Sequence, residues 1–395
     1  MSHAARDRRP RLERAAFVVW ALLVLGVLGR VAFDPNPEHN NVYLKVFAKA
    51  AHAFESQTDA YGAAEGGYRY PPACTVLLVP FELCGPRLGS VLWRLLNIAA
   101  LLLGVFAVLR AGFPMALSRA ERAVFWLVLA GTQIGSLNNG QANSLILGLL
   151  LLATLTQLRA HSVAPAAAIA CSTVLKVYPL AYGLVLGVLR PRLLLWLIPL
   201  LTALLALPFA LREPGYVWDQ HVALAEKLLH EDRTNDLGNS YRNLPLLFHV
   251  VGVTIPSAVF LALQALGGLG IVALCLRLRA VGATPMRVLH YAFGLTMCHF
   301  MLLGPATELS TYALLGPTLA WGLLEAYRSL ARWRRALWLA ATSLTGLALI
   351  WVPRALQGRW PVLRTHLPLA ALLVTIAMVI DGVREARGTD TIHGS

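Results

Sequence analysis

Apolar stretches follow one another from Ala15 almost to the end of this chain, near 15–33, 87–109, 121–136, 143–158, 162–176, 178–190, 193–211, 255–276, 287–304, 310–327, 335–353 and 366–383. A helix rises about 1.5 Å per residue and the bilayer's hydrocarbon core is about 30 Å thick, so a span takes about 20 residues. The stretches amount to roughly 11–12 transmembrane helices; several are short, and 162–190 reads equally as a broken pair. Backbone groups must be satisfied internally in lipid, which predicts an all-α, polytopic integral membrane protein. The composition agrees: 57% of residues are hydrophobic and 14% charged, against about 25% charged in soluble domains. A net charge of +14 raises the question of nucleic acid, but the basic residues form short clusters between spans rather than one face, and no nucleic-acid partner is expected.

Most arginines, among them Arg110, Arg119, Arg122, Arg277, Arg279, Arg332 and Arg334, fall in segments on the side of the N-terminus, and most acids fall on the other side. The positive-inside rule makes the N-terminal side cytoplasmic. The organisation is then a cytoplasmic tail 1–14, a single transmembrane domain 15–383 and a cytoplasmic tail 384–395. Two large exterior loops stand out, 33–86 and 212–254, the second carrying Arg233 and Arg242. Within the first, 71–84 is short and proline-broken, which predicts a re-entrant or interfacial helix. The five cysteines show no metal-ligand spacing and read as small hydrophobes. No metal site, cofactor or nucleotide loop is expected.

Polar groups at the edge of a membrane are costly unless satisfied or used. The first exterior loop carries Asp34, Glu38, Glu55, Asp59 and Glu65. Asp34 follows the first span directly and would accept a proton from an acceptor hydroxyl, or serve as a loop acid or helix cap. Glu38 is the reserve for that role, and Asp59 reads as a turn residue. Arg69 and Tyr70, in Tyr68-Arg69-Tyr70-Pro71-Pro72, suit a phosphate or sugar face, or an aromatic anchor with a snorkelling arginine. Arg94 lies inside an apolar helix and is expected to face a polar cavity, an anionic partner or a buried pair. In the run from Ser136 to Asn143, Asn139, Gln141 and Asn143 would bond sugar hydroxyls or cap two helix ends. Lys176, next to Tyr178, offers a point charge for a phosphate or snorkels to the interface. Glu308 would orient a substrate or pair with Arg94 or Lys176. With no cytosolic domain, an exterior site cannot draw on nucleotide-sugars or ATP, so an activated group would arrive attached to a membrane lipid.

The order YRYPP, LGSVLWRLLN, NNGQANSLILGLLLL, LKVYPLAYGLVLG and GPATELSTYALLGP resembles bacterial members of glycosyltransferase family 87, GT-C class transferases of the polyprenol-phosphate-mannose type, over about residues 30 to 320. The resemblance implies a GT-C-like fold and an inverting transfer of a mannose-like hexose from a polyprenyl-phosphate-sugar donor to a lipid or glycan acceptor. It places the enzyme in the bacterial inner (plasma) membrane, its site facing the periplasm or exterior. An aspartate of the first exterior loop is the family's base, and Asp34 is the match here. Many relatives carry theirs just before a Val-Tyr or Val-Phe pair, whereas Tyr43 to Phe47 here has no acid. Arg69, Arg94, Lys176 and Arg242 would stabilise the leaving phosphate. A transporter or flippase of lipid-linked sugars, and a membrane scaffold, are the competing readings.

Overall fold

A computed structural model describes residues 9–63, 67–159, 162–230, 241–304, 306–329, 331–349 and 354–388. Glu65, Arg233 and the outer parts of both tails lie outside them. The described residues are helices joined by short turns, with no strand among them. In chain order the main helices are α1 (Arg9–Phe33), α2 (Lys49–Glu55), α3 (Pro72–Glu82), α4 (Pro86–Ala111), α5 (Arg119–Asn139), α6 (Asn143–Leu158), α7 (Val163–Leu175), α8 (Pro179–Leu189), α9 (Leu194–Ala206), α10 (Pro214–His230), α11 (Leu244–Val250), α12 (Ser257–Ala280), α13 (Pro285–Leu303), α14 (Gly316–Arg328), α15 (Arg332–Gly346) and α16 (His366–Ala386).

Each apolar stretch of the sequence carries one of these helices, so the all-α membrane architecture stands. Among the described residues, six helices are long and apolar enough to cross a membrane by length and composition: α1, α4, α9 with its flanking 3-10 turns, α12, α13 and α16. The apolar helices α3, α6, α7 and α8 are shorter. At 11 residues, with Pro80 inside it, α3 extends about 16 Å, roughly half the hydrocarbon thickness.

The helix ends follow from local sequence. Ser118 and Glu121 form a reciprocal capping box that opens α5. Gly140 closes α5 in the left-handed conformation, φ +67°, which glycine adopts without a Cβ penalty. At Lys176 the backbone turns extended, and Pro179 opens α8, so 162–190 is a broken pair.

Small residues let α4 and α6 approach closely, as in membrane helix pairs generally. A Cβ on Gly104 would lie 2.5 Å from the Gly148 carbonyl oxygen, and one on Gly148 would lie 2.1 Å from that of Ala100. Asn97 ties the same seam, its Oδ1 accepting from the Leu145 amide at 3.0 Å. The first large loop sits on the start of α4 through rings: Tyr43, Phe47 and Phe81 all pack on Trp93. The second lies against the first, with Tyr216 OH donating to Thr58 O at 2.9 Å and Lys227 Nζ to Tyr61 O at 2.8 Å. At the opposite end of the bundle, Arg287 pairs with Glu325 and Glu385, and Arg334 with Asp381, joining α13, α14, α15 and α16.

Gly148→Ala should therefore destabilise the protein by about 1–3 kcal/mol through overpacking against backbone. Gly26→Ala, where an added Cβ meets nothing within 4 Å, should be neutral or mildly stabilising. Thermal unfolding of the two variants in detergent checks the contrast.

Candidate active site

The site is built around the turn from α5 into α6, residues 137–143. A helix leaves its last carbonyls without intrahelical partners, and here those of α5 are met by the fully buried Arg94 of α4. Its Nε donates to Leu137 O (3.0 Å) and its Nη2 to Asn138 O (2.9 Å) and Asn41 Oδ1 (3.2 Å), while Nη1 donates to Ser90 O (3.2 Å). Trp93 Nε1 adds a bond to Gly140 O at 2.8 Å. A Cβ on Gly140 would lie 2.8 Å from Arg94 Nη2. Arg94 is thus satisfied by carbonyls and an amide rather than by a carboxylate, and it acts as a clamp beneath the turn.

The clamp presents the far end of the turn to a polar cluster. Gln141 and Asn143 are buried. Lys176 Nζ donates to Asn143 Oδ1 at 2.8 Å and to Gln141 Oε1 at 3.3 Å. Gln141 Nε2 donates to Glu308 Oε2 at 2.6 Å. Tyr178 OH donates to the same Asn143 Oδ1 at 3.2 Å, and Asn143 Nδ2 to Ser310 O at 3.0 Å. Glu308 also caps the 3-10 helix Leu309–Leu315. The sequence reading expected Glu308 to orient a substrate or pair with Arg94 or Lys176; in the structure Glu308 and Lys176 are bridged through Gln141.

Two further expected residues lie within the electrostatic reach of Glu308. Burial first, then the Glu308 carboxylate, pushes the Tyr70 phenol up. Arg242 is buried, its amide bonded to Thr307 O at 2.7 Å and its Nη2 to Gln357 Oε1 at 2.9 Å. Burial holds its guanidinium down to about 10, assisted by Arg364 and opposed by Tyr312 and Glu308. The Lys176 ammonium, in the break between α7 and α8, is held down to about 8 by burial, with Glu308 opposing.

The other expected residues lie elsewhere. Asp34 follows α1 and builds an Asx turn, its Oδ1 accepting from the Asn36 amide at 3.0 Å. Its Oδ2 lies 3.5 Å from Arg30 Nη1 and 3.4 Å from His39 Nδ1. The Asn36 bond first, then His39 and Arg30, hold this carboxyl below its usual range against partial desolvation. Arg30 Nη2 also donates to Asn138 O at 2.6 Å, so the Asp34 turn and the Arg94 clamp meet on one carbonyl. Glu38 pairs with Lys49 at 3.7 Å and lines a cavity of about 490 Å³ with Tyr43, His52 and Glu82. Arg69 Nη1 bonds Gly67 O at 3.2 Å, toward Lys227 of α10. Asn139 is the last residue of α5. Asp59 accepts from the Tyr61 amide at 2.8 Å, as a turn residue does. Sequence reasoning passed over Arg30 and Trp93. The i,i+4 spacing of Arg30 and Asp34 was the available signal for the first.

The fold and site define a polytopic helical membrane protein with a polar cluster where several helices break or end. Residues 68–305 match the family model of glycosyltransferase family 87, and the chain belongs to that family: it is a membrane glycosyltransferase. No curated protein matches it. Among solved structures it is similar to ArnT from Cupriavidus metallidurans bound to undecaprenyl phosphate, at 16% identity and a TM-score of 0.41, covering 96% of this chain and 77% of that one. It is also similar to ArnT from Cupriavidus metallidurans in the apo state, at 15% identity and a TM-score of 0.40, covering 98% and 78%.

Gly140→Ala combines a left-handed backbone, costing about 1–2 kcal/mol, with a methyl driven into Arg94. Gly112 has φ +70°, but a Cβ there would find its nearest neighbour at 3.9 Å. Gly140→Ala should therefore lower the unfolding midpoint more than Gly112→Ala; equal losses would contradict the clamp.

Proposed function

We propose that this protein transfers a mannose-like hexose from a polyprenyl-phosphate-sugar to a lipid or glycan acceptor on the exterior face of the bacterial inner membrane. The observation that carries this reading is the network joining Lys176, Gln141, Asn143 and Glu308. It holds one ammonium among neutral amides, with Tyr70, Tyr178 and Arg242 around it. An ammonium has three donors, and the two amide oxygens leave capacity for a phosphate. Arg242 adds a second positive charge. Together they favour the phosphate that leaves, whose charge grows as the sugar–phosphate bond breaks.

In the proposed step, an acceptor hydroxyl attacks the anomeric carbon from the face opposite the phosphate, and its proton passes to Asp34. The bond from the anomeric carbon to the phosphate oxygen breaks, its electron pair leaving with the polyprenyl phosphate, and the configuration inverts. Arg30 and His39 keep Asp34 ionised and oriented before the transfer. In this reading Arg69 would steer the donor phosphate from the first loop, and Glu38 is the reserve base. The amides of Gln141 and Asn143 orient Lys176, and Arg94 fixes their turn.

Purified Asp34→Asn, given polyprenyl-phosphate hexose and a membrane lipid extract, should transfer about 10²–10⁴-fold more slowly while still binding donor. Undiminished transfer would remove Asp34 from the mechanism, and no transfer by the wild type would count against the donor assignment. Burial holds the Lys176 ammonium down to about 8, so its charge, and with it donor binding, should weaken as pH rises through 8. Lys176→Arg, charged to beyond about pH 12, should bind without that decline. Lys176→Met should bind weakly at every pH. Titrations across pH 6.5–9.5 check all three.

A further inference from the structure

A second cavity, of about 820 Å³, lies between α1, α4 and α5 at the end of the bundle away from the proposed donor site. The topology fixes this placement. The cavity takes the start of α1, the end of α4 and the start of α5, whereas Arg30, Arg94 and Asn138 meet at the other ends of the same three helices. Its walls are apolar and aromatic: Phe17, Trp20, Val24, Leu102, Phe106 and Trp126. The indoles are fixed in place, since Trp20 Nε1 donates to Trp126 O at 2.9 Å and the two rings meet edge to face at 5.5 Å. Its volume falls within the roughly 300–1,000 Å³ of ligand sites.

Three arginines, Arg110, Arg119 and Arg122, line its rim, against one acid, Glu13. None of their three guanidinium groups makes a hydrogen bond or ion pair with another described residue; Arg122 is bonded only through its backbone, its amide donating to Ser118 O. The neighbouring Glu121 is taken by Arg328, with Nε–Oε1 at 2.7 Å. At the cavity's edge Phe17 is 75% exposed on a helix of membrane-spanning length, so the apolar wall meets the surface that lipid would cover. Unneutralised guanidinium groups above an aromatic slot match one kind of occupant: a phosphate at the interface with a hydrocarbon chain beneath it. The residues before α1 do not fit, because that stretch is itself basic.

We propose that this groove binds an anionic glycerophospholipid of the inner leaflet, with Arg110, Arg119 and Arg122 on the headgroup phosphate and an acyl chain between Trp20, Phe106 and Trp126. The bound lipid would fasten α1 to α4 and α5, the three helices whose far ends form the Arg30–Asn138–Arg94 contact. This site is independent of the sugar-transfer reading and stands or falls separately from it.

The test is native mass spectrometry of the full-length protein in detergent, titrated with dioleoylphosphatidylglycerol or dioleoylphosphatidylcholine. The wild type should retain one phosphatidylglycerol at least about tenfold more tightly than phosphatidylcholine, and R110Q/R119Q/R122Q should lose that preference. A diazirine-bearing phosphatidylglycerol should label peptides of α1, α4 or α5 in the wild type. Equal retention of the two lipids by the wild type would overturn the proposal without recourse to any variant. So would an unchanged preference in the triple variant, labelling confined to other helices, or displacement of the bound phosphatidylglycerol by equimolar inorganic phosphate or polyprenyl phosphate.

Discussion

One buried guanidinium, Arg94, decides how the end of the bundle around the α5–α6 turn is built. Arg94 comes from the middle of an apolar sequence, and an unsatisfied charge there would cost far more than any packing gain could offset. Its donors are spent on carbonyls at the end of α5, on Ser90 O within its own helix and on the Asn41 side chain. Leu137 O also accepts from the Gly140 amide at 3.2 Å, while Asn138 O is met by Arg94 and Arg30, so the guanidinium and the helix end satisfy each other. The turn that follows α5 is fixed as a result, and with it the amides that hold Lys176 and Glu308. Arg30 reaches the same Asn138 carbonyl from α1 and carries Asp34 with it. The base proposed for the reaction and the amide platform proposed for the donor are therefore registered through one peptide group.

The two ends of the bundle solve the problem of charge in different ways. At one end, Arg287, Glu325, Glu385, Arg334 and Asp381 pair directly across four helices. Breaking one partner of such a set leaves the other uncompensated, so these pairs hold the late helices in register. At the other end, neutral amides stand between Lys176 and Glu308. An ammonium bridged in this way is oriented but not neutralised by direct contact, and keeps some attraction for an incoming anion. The contrast sets the directly paired end apart from the end proposed for the chemistry.

The helical membrane architecture was legible in the sequence because span length and hydropathy are local properties, and each apolar stretch became a helix where expected. The break at Lys176 was legible for the same reason, since Pro179 announces it. The glutamine and asparagine of the 136–143 run could be singled out as polar groups at a boundary, and they lie in the cluster with Lys176, Tyr178 and Glu308. What they bond to was not legible, because that depends on which helix ends meet. Arg94 illustrates this: an apolar helix with one arginine demands a partner, but nothing in its neighbourhood says that the partner is a set of carbonyls more than 40 residues away. Asp34 is the opposite case. Its partner Arg30 is four residues earlier, within reach of a simple helical-spacing argument.

The central claim is that the α5–α6 turn, held by Arg94, orients Lys176 for the phosphate of a lipid-linked donor. The most direct measurement is a cryo-EM structure of the protein in nanodiscs with a non-transferable polyprenyl-phosphate-sugar analogue. The account predicts a phosphate oxygen within about 3 Å of Lys176 Nζ, with the sugar on the side of Asp34 and the Arg94 bonds intact. A phosphate bound at the opposite membrane face, or on the exterior side without contact to Lys176, would contradict it.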